Sequence, residues 1–210
     1  MSELTTVPRR QRRLYAHPDV VASLLRKDTS MRVPKTKIVA TFEKVSFEQY
    51  IEPYHGVLDT IKNDSETLYM AKLEELRKRY DAIKLPTRST QGSAGYDFYC
   101  PEDYCVGEYP VSIYTGIRVK LKPGWMLMLA PRSSYGFRHH FQLDNTVGII
   151  DSDYYGAANE GHIVAKVRAE ESFIISAGDK FMQGILLPYG YATEAEVTGE
   201  RTGGIGSTGE

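Results

Sequence analysis

The amino-acid sequence predicts an all-β body, a barrel or jelly roll, that carries a small α/β segment on its N-terminal side. Three observations predict it. From Leu85 onward, short alternating apolar runs recur at close spacing, separated by turn residues. Between Lys37 and Lys84 the pattern changes to one strand-like run and two helix-like runs. The chain also has 15 tyrosines, a residue that suits sheet surfaces and interfaces, and no internal repeat.

Residues 1–36 read as a basic, partly disordered extension. Arg9, Arg10, Arg12 and Arg13 cluster there, a pattern more typical of a solvated tail than of a nucleic-acid contact. Pro18 followed by Val20, Val21, Leu24 and Leu25 predicts a short helix with proline in its first turn. Residues 37–84 form the next segment. Ile38, Val39, Thr41 and Phe42 mark a strand within Lys37–Val45. Ser46 and Gln49 fit a capping box for a short helix that Pro53 is expected to stop. A longer helix is expected to start at Asn63-Asp-Ser-Glu66, with Tyr69, Leu73, Leu76 and Tyr80 as its packing stripe. Arg77, Lys78 and Arg79 complement its C-terminal dipole.

Residues 85–199 form the β body. Val111, Ile113, Ile117, Val119 and Leu121 mark two strands around Thr115-Gly116. Lys122-Pro123-Gly124 is a turn, and Trp125–Leu129 reads as a buried strand. Further strands are expected at Val147–Ile150, His162–Val167, Phe173–Ile175, Gln183–Leu187 and Ala192–Val197. Residues 200–210 form a glycine-rich arm. Its glycines cannot build a core, but they let backbone N–H groups approach an anion closely. Arg201 adds a forked cation, and Ser207 and Thr208 add hydroxyl donors.

Composition narrows the function classes. The 210 residues are 41% apolar and 25% charged, enough for an ordinary core. A net charge of −1 provides no global field for nucleic acid. No apolar run approaches the roughly 20 residues of a membrane span, and the arginine-bearing N-terminus lacks the apolar stretch of a secretory signal. Cys100 and Cys105 lack CxxC spacing or a histidine partner, so free thiols in a reducing compartment are expected.

Five segments could carry chemistry. In Asn145-Thr-Val-Gly-Ile-Ile-Asp-Ser-Asp-Tyr154 an apolar run leads into Asp151 and Asp153. On a strand both carboxylates would share a face; in a turn they need not. One is a candidate base for water and the other a turn-former. In Ala130-Pro-Arg-Ser-Ser-Tyr-Gly136, Arg132, Ser133 and Ser134 would make an anion site if a helix begins there, though a plain helix cap uses the same serines. Gly92-Ser-Ala-Gly-Tyr-Asp-Phe98 is a turn entering a strand with one acid, Asp97. Gly178-Asp-Lys-Phe-Met-Gln183 does the same with one amide. Gln183, set in an apolar run, calls for a partner or a ligand. The arm is the fifth. His139-His140 reads as a solvated loop, and HExxH, GxSxG and Walker patterns are missing from the sequence.

Taken in order, Ala94–Phe98, Pro131–Ser134, Gly148–Tyr154, Gly178–Gln183 and Arg201–Gly209 resemble the five motifs of the homotrimeric deoxyuridine triphosphatase (dUTPase) family. The resemblance spans about residues 84–210, and residues 37–84 resemble an extra segment of some bacterial and phage members. It implies a jelly roll and a trimer with three sites at subunit interfaces. It also implies hydrolysis of dUTP to dUMP and pyrophosphate with Mg2+, in the cytoplasm, or in the host's if phage-encoded. By the same resemblance Asp151 activates the attacking water at the α-phosphate. Arg132, Ser133 and Ser134 contact phosphate, and so does Gln183, which can also contact water. Asn145 and the hairpin through Gly148 to Ile150 form the uracil pocket, and Tyr154 lies under the deoxyribose. Arg201, Gly206, Ser207 and Thr208 close the arm over the β- and γ-phosphates. Asp97 orients the site or metal-bound water, and Asp153 supports the third motif. Magnesium is expected to be held mainly by phosphate oxygens and water, with no direct protein ligand.

Two departures stand out. Ile205 occupies the arm position where the family usually stacks an aromatic ring on uracil. Stacking is worth about 1–3 kcal/mol, and isoleucine retains some apolar cover, so a loss of roughly tenfold in arm closure is expected. The loop Tyr155–Gly161 is longer than the family's common loop, and Tyr155 replaces a usual polar or basic residue. The alternative to an active enzyme is a binding, regulatory or virion structural module on the same fold. Retention of Asp151, Arg132, Gln183 and Arg201 together argues against it. A related dCTP deaminase would need a catalytic glutamate arrangement that is not seen here.

Overall fold

A computed structural model describes residues 37–193 and Gly203. The strands β1 (Ala40–Lys44), β2 (Gly95–Tyr99), β3 (Tyr104–Val106), β4 (Val111–Tyr114), β5 (Ile117–Leu121) and β6 (Trp125–Pro131) come first in chain order. They are followed by β7 (Gln142–Leu143), β8 (Gly148–Ile150), β9 (Val164–Arg168), β10 (Phe173–Ile175) and β11 (Lys180–Pro188). Four antiparallel sets result: β1-β5, β3-β10, β2-β11-β6-β8 and β4-β9-β7. They enclose one core, with Phe98, Ile113, Val119, Leu127, Phe141, Val167 and Phe181 all buried. The fold class is all-β, a jelly roll with a small helical segment near its start.

That segment begins as the sequence predicts. Ser46 Oγ accepts from Gln49 N at 3.1 Å and caps α1 (Phe47–Ile51). The expected reciprocal bond is made by a distant residue instead, since Ser46 N donates to Glu160 Oε2 at 2.8 Å. Pro53 does not stop the helical path. It sits in the first turn of a 3-10 segment, Glu52–Tyr54, where a missing N–H has no partner to lose. Helix α2 (His55–Asp64) follows directly. Asn63 and Asp64 therefore end α2, and Ser65 caps α3 (Glu66–Ala82), its Oγ accepting from Leu68 N at 3.3 Å. Leu76 is fully buried, and Tyr80 donates its hydroxyl to Val45 O at 2.7 Å. Arg77 lies 3.4 Å above the Phe47 ring.

β4 and β5 flank Thr115-Gly116 as expected, yet they do not pair with each other. β4 joins β9, and β5 joins β1. The bend between them is anchored across the molecule. Thr115 Oγ1 donates to Ile163 O at 2.7 Å, and Gly116 N donates to His162 Nε2 at 2.8 Å. The chain thus changes sheets at a corner. β3 and β7 are too short to show an alternating pattern. Ala192 and Thr193 are not in a strand; Glu194–Val197 and the predicted helix after Pro18 lie outside the described residues. Among the described residues no helix is long and apolar enough to cross a membrane.

Candidate active site

Register builds the centre of the site. Gln183 on β11 stands opposite Asp97 on β2 and opposite Ala130 on β6, so these side chains share one face of the sheet. Asp97 is 6% exposed. Its Oδ1 meets Arg132 Nε at 3.1 Å, and its Oδ2 meets Lys180 Nζ at 2.9 Å. Ser89 Oγ donates to Oδ2 at 2.6 Å and accepts from Lys180 Nζ at 2.8 Å. Burial pushes this carboxyl up. Hydrogen bonds from Ser89 and Lys180, with the charges of Arg132 and Lys180, outweigh burial and hold it below the usual carboxylate range.

Lys180 reaches this face only through a bulge. Strict alternation back from Gln183 assigns Lys180 to the opposite face. The register slips between Lys180 and Met182, so Lys180 stands opposite Tyr99 while Met182 stands opposite Phe98. Phe181 is the extra residue, and both Phe181 and Met182 enter the core. Lys180 and Ser89 were not among the residues singled out from the sequence. Lys180 lies inside the fourth motif, but no periodicity marks it.

Gln183 lies across Gly95. A Cβ at Gly95 would come within 2.6 Å of Gln183 Oε1, so the glycine makes room for the amide. Gln183 Nε2 donates to Pro131 O at 3.5 Å, a long and weak bond that leaves the amide available to a ligand. Arg132 follows β6 and precedes α4 (Ser133–His139), its backbone N donating to Phe181 O at 3.2 Å. A helix does begin at Ser133, and Ser133 and Ser134 are exposed at its start. A cleft of about 340 Å³ is lined by Ser89, Gly95, Asp97, Arg132, Ser133 and Gln183. A second, of about 390 Å³, is lined by Tyr99, Arg132, Ser134, Tyr135, Arg138, Lys180 and one acid, Asp179. Arg132 lines both, so one cationic wall serves two adjoining hollows suited to a chain of anionic groups.

The third motif lies along the other edge of β6. Gly148 stands opposite Leu129 and Ile150 opposite Leu127. Asn145 is exposed in the preceding turn, where its carbonyl accepts from Val147 N at 2.8 Å and Thr146 takes a φ of 69°. Asp151 and Asp153 lie in a turn, with Tyr154 N donating to Asp151 O at 3.2 Å and Gly156 N to Asp153 O at 3.1 Å. The Tyr154 hydroxyl donates to His162 O at 2.9 Å, and its ring is 6% exposed. Continuing the register past Ile150 sets Asp151 level with Met126, six positions before Arg132. At roughly 3.3 Å per residue that is about 20 Å of strand. One chain therefore brings Asp97, Arg132, Ser133 and Gln183 together and leaves Asp151 well away from them. Arg201, Ile205, Gly206, Ser207 and Thr208 lie outside the described residues.

Comparison with known proteins identifies the family. The dUTPase family model matches residues 81–209. The deoxyuridine 5'-triphosphate nucleotidohydrolase of Lactococcus lactis is 39% identical over 134 residues, covering 60% of this chain and 89% of that protein. The protein of the same name from Wolinella succinogenes is 34% identical over 147 residues, covering 66% and 95%. The solved dUTPase from Streptococcus mutans is 33% identical with a TM-score of 0.49, covering 52% of this chain and 89% of that one. Because the family model matches more than half of the chain, residues 81–209, the chain belongs to the dUTPase family.

Proposed function

We propose that this protein hydrolyses dUTP to dUMP and pyrophosphate by attack of water on the α-phosphate. The observation that carries this reading is the double cleft around Arg132, with Lys180 and Gln183 beside it. Fixed cations and amides aimed at developing phosphate charge are what such a transfer requires. Asp151 takes the proton from water as general base. Arg132, Ser133, Ser134 and Gln183 hold phosphate oxygens, and Asp97 fixes Arg132 and Lys180 in place. Asn145 and Gly148 border uracil, Tyr154 walls the deoxyribose, and Asp153 supports the turn.

The roughly 20 Å of strand between Asp151 and Arg132 favours a site in which one copy supplies the base and a neighbour supplies the phosphate cleft, and family membership makes that assembly a homotrimer. Residues 200–210, through Arg201, Ile205, Gly206, Ser207 and Thr208, act as the closing arm over the jelly-roll body of residues 85–199. Residues 37–84 serve as its attached N-terminal segment, residues 1–36 as a basic extension, and the protein works in the cytoplasm. Magnesium fits this donor set. Both Asp97 oxygens are engaged by Arg132, Lys180 and Ser89. Phosphate oxygens and water would hold the ion, which neutralises charge on the triphosphate when bound.

The test is pyrophosphate release from dUTP with magnesium, run beside UTP and dCTP. Release from dUTP alone is expected. Ammonia from dCTP, or binding of dUTP without release, would overturn the reading.

A further inference from the structure

The turn that carries Asp151 continues into a loop, residues 151–163, with its own internal frame. Asn159 Nδ2 donates to the Tyr154 hydroxyl at 2.9 Å, and that hydroxyl donates to His162 O at 2.9 Å. Gly161, at φ +71°, is pressed against Tyr154; a Cβ there would lie 2.7 Å from the Tyr154 carbonyl oxygen. Glu160 adopts φ 55°, a left-handed conformation that a glutamate holds only when its surroundings demand it.

Those surroundings lie in the N-terminal segment. Glu160 accepts from Ser46 N at 2.8 Å and from Ser46 Oγ at 2.6 Å. The Tyr155 hydroxyl donates to Glu43 Oε2 at 2.8 Å and accepts from Arg118 at 2.6 Å. Arg118 also donates to Glu43 Oε2 at 3.1 Å, lies 4.2 Å from the Tyr155 ring centroid and approaches Glu160 Oε2 at 3.8 Å. Glu43 and Ser46 precede residue 81, where the family match begins. The longer loop and the added segment are thus wired to each other.

We infer that Glu43, Ser46, Arg118, Tyr155 and Glu160 form a brace that positions the loop bearing Asp151 and Tyr154, so that the N-terminal segment sets the placement of the base. These are positioning residues; none touches the reacting atoms. The inference rests on the proposed dUTP hydrolysis. Charge-assisted bonds at Tyr155 and Glu160 tie the loop to Glu43, Arg118 and Ser46. Loosening them shifts Asp151 relative to a phosphate bound elsewhere, and a 1 Å misplacement costs up to about 10²-fold in rate.

The test compares Tyr155→Phe and Glu160→Gln with Glu75→Gln. Glu75 pairs with Lys72 and Arg79 on α3, away from the loop. Expected is a fall in kcat of roughly tenfold in the two brace variants, with KM for dUTP changed less than about twofold, and no change in kcat in Glu75→Gln. Amide hydrogen exchange across residues 151–163 should quicken in the brace variants only. Unchanged kcat, or losses that follow the melting temperature equally in all three variants, overturns the brace. If the unsubstituted protein releases no pyrophosphate, the hydrolysis reading falls instead. Exchange then decides the brace, and unchanged protection of the loop refutes it.

Discussion

Replacing Gly95 by alanine should separate activity from stability at this site. A Cβ at Gly95 would lie 2.6 Å from Gln183 Oε1, whereas 3.4 Å is ordinary contact. The oxygen must therefore move by about 0.8 Å, the difference between the two, a displacement that costs on the order of tenfold to 10²-fold where geometry governs the rate. The folded chain loses little. The obstructing atom is the end of a flexible side chain, and Gln183 Cβ and Cδ lie at 3.4 and 3.5 Å, within contact range. Alanine also recovers part of the about 0.5–1 kcal/mol of backbone entropy that glycine costs within a strand, Gly95 being the first residue of β2. Expected, then, is a melting temperature unchanged or slightly raised, with kcat/KM for dUTP reduced roughly tenfold or more. Pyrophosphate release and thermal unfolding on one preparation measure both. Full activity at unchanged stability would refute a role for Gln183 in holding phosphate, and a large fall in melting temperature would refute the packing described here.

Asp151→Asn should lower turnover by orders of magnitude while dUTP binding survives, checked by calorimetry beside the kinetic assay. Mixing Asp151→Asn with Arg132→Ala subunits, each inactive alone, should restore activity at about one site in four if neighbouring copies share a site, and failure to complement would place both residues in one subunit's site. His162 is buried and its imidazole is pushed down from 6.5 to about 4 by burial, so it stays neutral in the fold. The unfolded chain therefore binds the extra proton first. Stability should fall as pH drops through the window from about 6.5 to about 4, by roughly 3 kcal/mol in all. His162→Gln should flatten that slope in melting curves taken across pH. Ile205→Phe should raise turnover or affinity for dUTP if the arm closes over uracil, and steady-state kinetics would detect no change if it does not.

Several features of the site were legible without coordinates because they depend on local chemistry. Ser46 announces a helix start, since its hydroxyl competes for a free backbone N–H group. Gln183 stands out as an amide in an apolar run, and the fold gives it a place opposite Asp97. Other features escaped for physical reasons. Pro53 reads as a breaker because its effect depends on whether it falls inside a helix or in the first turn of the next. Tyr155 stands out as an unusual residue in a long loop, but its tie to Glu43 spans 112 positions of chain.

By itself the sequence determined the all-β character and the five motifs, and it singled out Asp97, Gln183 and Arg132. The all-β character follows from side-chain periodicity and the three residues from chemical type, which are properties of neighbours in the chain, and the motifs follow from the family resemblance. Only the tertiary structure decided that Lys180 shares a face with Asp97, through one inserted residue that reverses the alternation. It also decided that β4 and β5 part at Thr115-Gly116, and that Asp151 sits at the far end of β6 from Arg132. Strand register and partner choice are long-range matters. They depend on which apolar faces can be buried together, and no local window of sequence carries that information.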